Sequence, residues 1–194
     1  MRINRIKNKN RTDLAIMFGK LGFKRGAEIG VRKGNFSEEL CTHIKSLEKL
    51  YSIDPWDLVF EDPISRDYQR KYGDKVFNRI YRQAARRLRK YPICEMIKKT
   101  SLEAVRDFKY GSLDFVYIDS SHTFDYVMTD IIEWSKRVRR GGIVSGDDYK
   151  HLRHGDVISP VNTYVQAHRI ETLNIIEPLE TDSYPVPQWW FIKQ

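Results

Sequence analysis

The stretch Glu28-Ile29-Gly30-Val31-Arg32-Lys33-Gly34 sets two glycines four residues apart, behind a short apolar run and ahead of a helical pattern. Glycine carries no Cβ, so such a turn can bend sharply, adopt left-handed backbone angles and lie close against a ligand. The spacing is not GxGxxG, and no GK[ST] ending follows, which argues against dinucleotide and nucleoside triphosphate sites. Two readings stand here: a tight strand-to-helix turn, or a turn that admits a ligand.

Outward from this turn, apolar runs alternate with helical patterns along the whole chain. The patterns predict a helix near 12–21, a strand at 27–31, a helix near 35–46 and a strand at 50–54. Tyr68, Tyr72, Val76, Ile80, Ala84 and Leu88 recur every four residues, which predicts one long amphipathic helix with arginines over its other faces. A strand at 93–97 follows, then a short helix after Ser101, whose hydroxyl and Glu103 resemble a helix start. Next come a strand at 114–119 and a helix at 124–139 that ends at Gly141-Gly142. A strand at 143–146, a helix near 159–170 and closing strands at 172–177 and 188–193 complete the chain. This alternation predicts an α/β fold: a single Rossmann-like doubly wound sheet of about seven strands, mostly parallel with an antiparallel last strand, and helices on both faces. Residues 1–11 read as a basic N-terminal arm and 12–194 as one domain. The irregular stretch 56–66, between Pro55 and Arg66, is a candidate lid.

At 194 residues and 41% hydrophobic, the chain can bury one core but not two full α/β domains. No run approaches the ~20 apolar residues of a membrane span. The basic N-terminus has no apolar core of a secretory signal behind it, so a cytoplasmic protein is expected. Cys41 and Cys94 are isolated and read as small core residues, with neither a disulfide framework nor a zinc site. The formal charge of +8 is uneven: residues 1–11 carry +5 and residues 66–90 carry +8, leaving the remainder at −5. That distribution suggests an anionic substrate or partner, nucleic acid included.

In open parallel sheets, ligands gather beyond the carboxyl ends of the strands. Acids stand at each such end here: Glu28, Asp54, Asp119 and the pair Asp147-Asp148. Asp54 can accept both hydroxyls of an adenosine ribose, or serve as a turn aspartate before Pro55. The ExGxxxG turn, Asp54 some twenty residues beyond it and Asp114-Phe-Val-Tyr-Ile-Asp119 together resemble the cofactor signature of class I S-adenosylmethionine (SAM)-dependent methyltransferases. The set Asp119-Ser-Ser-His122, Asp130 and Trp134, then Arg140-Gly-Gly-Ile-Val-Ser-Gly-Asp-Asp-Tyr149, is similar to the small-molecule O-methyltransferases of the catechol and caffeoyl-CoA type. It is closer still to the bacterial sugar and macrolide O-methyltransferase-like group. The resemblance covers about residues 26–170.

That resemblance implies a SAM site in which Glu28, Gly30, Val31 and Gly34 line the methionine end, Asp54 holds the ribose, Ser101 lies near the adenine and Trp56 covers it. Asp119 would border both this site and the chemistry. It also implies that Asp119, Asp147 and Asp148 ligate Mg²⁺ or another divalent cation, for which carboxylates are suitable hard ligands. Catechol-type enzymes commonly have lysine where His122 falls and asparagine where Asp148 falls. His122, with a reference pKa of ~6.5, becomes the candidate general base, alongside the reading of an ordinary loop histidine oriented by Asp119 or Asp125. His151 and His154 read as surface histidines, with contact to the substrate as the alternative, and at least one indole of Trp189-Trp190 belongs in the core. The implied activity is methyl transfer to a hydroxyl of a sugar or phenol-like small molecule, anionic in one version, by an enzyme that often forms homo-oligomers. Competing readings are methylation of nucleic acid through the basic 66–90 helix, and a non-catalytic binding protein on the same fold.

Overall fold

In Leu113–Ile118, Phe115 and Tyr117 point to one side and Val116 and Ile118 to the other, and all four are buried. A strand that is apolar on both faces needs a layer of helices on each. The computed structural model describes residues 1–59, 63–73, 75–152, 155–182 and 185–194. In chain order the first elements are β1 (Arg2–Lys7), α1 (Arg11–Lys20), β2 (Arg25–Ile29), α2 (Asn35–His43) and β3 (Lys49–Ile53). They are followed by α3 (Pro63–Tyr72), α4 (Val76–Leu88), β4 (Cys94–Ile97), α5 (Ser101–Ala104), β5 (Leu113–Ile118), α6 (Phe124–Arg137) and β6 (Val138–Gly146). A small hairpin of β7 (His151–Leu152) and β8 (Gly155–Asp156), then α7 (Ile158–Ala167), β9 (Thr172–Glu177) and β10 (Gln188–Ile192), complete the fold.

The main sheet has eight strands in the order β1-β9-β10-β6-β5-β2-β3-β4. All neighbours run parallel except β10, which is antiparallel to both β9 and β6. Val116 and Ile118 pack with Ile131, Trp134 and Val161 of α6 and α7, while Phe115 and Tyr117 pack with Phe18 of α1 and Phe36 and Leu40 of α2. The chain leaves β2 for β3 and β4 on one side and returns to β5 on the other, so strand order reverses between β2 and β5. A crevice opens at such a point.

Three sequence expectations are corrected. Residues 2–7, read as a basic arm, form an eighth strand, paired in parallel with β9 from Arg2↔Thr172 to Lys7↔Glu177. The long helix is two, because Gly73 at φ +80° takes the left-handed conformation that ends α3, although Val76, Ile80, Ala84 and Leu88 are buried as the four-residue period requires. The helix at 124–139 ends at Arg137, and β6 starts at Val138. Gly141-Gly142 lie inside that strand near a register shift, where a Cβ on Gly142 would sit 2.4 Å from the Asp114 carbonyl.

Candidate active site

Gly30 and Asp119 meet at the switch point. Gly30 sits at φ +90°, and a Cβ there would lie 1.9 Å from the carbonyl oxygen of Asp119. The close approach this glycine permits is therefore between the ends of β2 and β5, which brings the glycine turn and the acid into one wall. Beside them opens a cavity of about 760 Å³, whose lining includes Gly30, Asp54, Trp56, Ser101, Asp119 and His122. This volume lies within the range of small-molecule and cofactor sites.

On the β3 side, the Asp54 carboxylate accepts the backbone N–H of Arg32 at 2.8 Å and of Trp56 at 2.6 Å. Burial raises its pKa, and those backbone donors oppose the rise. Trp56 is buried, donates its indole N–H to the Arg32 carbonyl at 2.8 Å and stands edge-on to Tyr81. Arg32 at φ +52°, Trp56 at +42° and Asp148 at +52° all line the cavity, and side chains rarely adopt that conformation outside glycine. Backbone strain is thus concentrated around this opening.

On the β5 and β6 side, His122 stands between two carboxylates. Its Nε2 is 3.0 Å from Asp148 Oδ2 and 3.4 Å from Asp119 Oδ1, yet is aligned with neither as a hydrogen bond. One donor atom from each of Asp119, His122 and Asp148 lies within 4.8 Å of the others. Burial would lower the imidazole pKa, but the two carboxylates outweigh it and raise His122 to about 10. Burial raises Asp119 against the pull of His122, whereas His122 and Lys150, the latter 2.8 Å from Oδ1, hold Asp148 below its ordinary value against burial. Without a cation, this histidine is charged at neutral pH and has no lone pair for a substrate proton.

Residues 27–149, well over half of the chain, match the family described as methyltransferase domain. The chain belongs to that family. No curated protein matches the sequence closely enough to serve as a relative. Among solved structures, an O-methyltransferase from Bacillus cereus in complex with SAH superposes with a TM-score of 0.65 at 14% identity, covering 94% of this chain and 80% of that one. TomG, an O-methyltransferase from Streptomyces achromogenes involved in tomaymycin synthesis and solved with SAM, gives 0.65 at 17% identity, over 95% of this chain and 80% of that one. At these identities the likeness is one of fold, that of SAM-dependent methyltransferases.

Within this methyltransferase fold, the expected site residues separate into two groups. Gly30, Asp54, Trp56, Ser101, Asp119, His122 and Asp148 line one cavity. Glu28, Val31, Gly34 and Asp147 are not among its lining residues. Glu28 is buried beneath the turn, accepts a hydrogen bond from Ser37, and is held well above the carboxylate range by burial. Val31 packs in the core with Trp56 and Val76, and Gly34, at φ +76°, begins α2 where the turn rests on Leu88. The Asp147 carboxylate accepts the backbone N–H of Asp148 at 2.9 Å and faces Gln188 at 3.4 Å. Consecutive residues point in different directions, and here the left-handed Asp148 faces His122.

Several readings shift in detail. The helix cap before α5 is Thr100, which accepts the Glu103 N–H while Glu103 returns to the Thr100 N–H. Ser101 instead donates to Asp130, and the Trp134 indole donates to Ser101 at 2.8 Å. Asp130 is the residue whose role sequence reading missed: it also receives Ser120 at 2.5 Å, and burial raises it to about 6 against those two hydroxyls. The available signal was an acid on the buried face of α6, beside Val127, Ile131 and Trp134. Trp189 is core and Trp190 half-buried; His151 is exposed and 3.2 Å from Asp156, and His154 lies outside the described residues, as do 60–62 of the candidate lid. No helix among the described residues is long and apolar enough to cross a membrane.

Proposed function

We propose that this protein transfers a methyl group from SAM to a hydroxyl of a small molecule, with a divalent cation held by Asp119, His122 and Asp148. The observation that carries the reading is the placement of that donor triad in the same cavity as Gly30, Asp54 and Ser101. Asp54 is turned by two backbone N–H groups so that its remaining lone pairs can accept the ribose hydroxyls. Ser101 is fixed by Asp130 at the edge of the same space. The acceptor oxygen would attack the methyl carbon in line as the carbon–sulfur bond breaks, the sulfur leaving as the neutral thioether of the demethylated product and the hydroxyl proton passing to solvent water; holding donor and acceptor in register supplies much of the rate.

Two carboxylates and an imidazole whose nitrogen is aimed between them fit a cation. Asp147 contributes from behind, by accepting the Asp148 N–H. A bound cation supplies the Lewis acidity that lowers the pKa of a coordinated hydroxyl. His122 can join such a set only as a neutral ring, so it exchanges its proton on binding. An imidazole in the set favours Mn²⁺ or another transition ion over Mg²⁺. The general-base reading gives way to that of a ligand.

The test is transfer of labelled methyl from SAM to a panel of hydroxylated small molecules and to RNA, before and after chelation. Product on a small molecule that disappears with EDTA and returns with Mn²⁺ is expected. Product on RNA alone would move the acceptor to nucleic acid, activity that survives chelation would remove the cation, and SAM binding without any transfer would leave a binding protein.

A further inference from the structure

Beside the main cavity lies a smaller recess of about 460 Å³ between the glycine turn and α4. Its walls include Arg32, Lys33 and Arg79 with Tyr68 and Tyr72, and among the described residues no carboxylate lines it. The two spaces share Arg32, Tyr68 and Ile80 in their walls and so lie side by side.

Of the three cations, Arg32 is held by its neighbours. Arg32 donates to the Tyr68 hydroxyl at 2.6 Å with its guanidinium 5.2 Å from the ring centre, which leaves further N–H groups for a ligand. Arg87 of α4 donates to the Lys33 carbonyl at 3.1 Å and fastens the turn to the helix that carries Arg79. Further along this surface Arg87 and Lys90 both pair with Glu38. Arg32, Lys33 and Arg79 have no carboxylate partner among the described residues.

We infer that this recess binds the phosphate of a phosphorylated acceptor whose hydroxyl extends into the main cavity; the acceptor role rests on the methyl-transfer reading above. Three cations suit a dianion better than a single carboxylate, and guanidinium groups form charge-assisted pairs with phosphate oxygens. A bounded recess takes one such group, whereas binding to a nucleic-acid backbone requires a track of cations along successive phosphates.

Calorimetric titration of inorganic phosphate at fixed ionic strength, into the wild type and the K33Q/R79Q double variant, tests the inference. Saturable binding that weakens about tenfold or more in the variant is expected, with SAM affinity unchanged. No phosphate binding, or equal binding by both proteins, would overturn it. SAM binding without phosphate binding removes the recess and keeps the methyl-transfer reading; phosphate binding without SAM binding does the reverse and leaves an anion site without an acceptor role. A short single-stranded RNA that binds far more tightly than phosphate, with a steep salt dependence lost in the variant, would replace the phosphorylated small molecule with nucleic acid.

Discussion

At the end of β3, each carboxylate oxygen of Asp54 accepts a backbone N–H, whereas at the ends of β5 and β6 Asp119 and Asp148 face one another across a charged His122. The first arrangement is completed by its own chain and stays in place when empty. The second is a balance of side-chain charges in which one proton holds two acids together, and a cation can take the place of that proton. On the function proposed above, one cleft combines a preformed cofactor platform with an exchangeable centre. Substitutions can separate the two.

The largest effect is expected on the exchangeable side. D148N removes one ligand charge, so turnover should fall about a thousandfold, or ~4 kcal/mol in the barrier, while SAM affinity stays within about twofold. Steady-state kinetics paired with calorimetry reads both, and full activity in D148N would show that the cluster is not a cation site. G30A attacks the seam between the two sides. Its Cβ would meet the Asp119 carbonyl at 1.9 Å and its backbone angle disfavours alanine, so a loss on the order of 3–4 kcal/mol is expected in urea unfolding. A neutral G30A would mean that the β2 and β5 ends separate easily.

Asp130 sharpens the contrast through pH. Its folded pKa of about 6 stands above the unfolded value, so the buried acid favours folding while protonated, and that contribution is lost as pH rises from ~4 through 6. D130N should flatten this part of the stability profile, a swing of ~3 kcal/mol for a shift of this size. Identical profiles for D130N and the wild type would show Asp130 ionised at little cost. The smallest effect is on the platform. D54A leaves two backbone N–H groups and, on the proposed reading, the ribose without their acceptor, so SAM affinity should drop by about 10- to 100-fold, with metal binding retained.

The alternation of strands and helices was legible because each central strand is apolar on both faces and each helix carries a stripe. The edge strand β1 was not, because Arg2, Arg5 and Lys7 face solvent and only the short run around Ile3 and Ile6 marks it. Gly73 was hidden within an apolar period that continues in phase on both sides of the break. In the site, Gly30, Asp54 and Asp119 could be placed because sheet topology carries strand ends to the switch point. That Asp148 and not Asp147 faces His122 could not, since it depends on one left-handed residue, and neither could the pairing of His122 with both acids, which depends on how two loops meet. Gly155 shows how close that meeting is: a Cβ there would lie 2.3 Å from the His122 carbonyl.

The most direct measurement is calorimetric titration of SAM into chelator-treated protein. One saturable site per chain, unaffected by removal of metal and weakened in D54A, is the expected result. Absence of SAM binding, or binding that requires the cation, would contradict a cofactor platform completed by the chain itself.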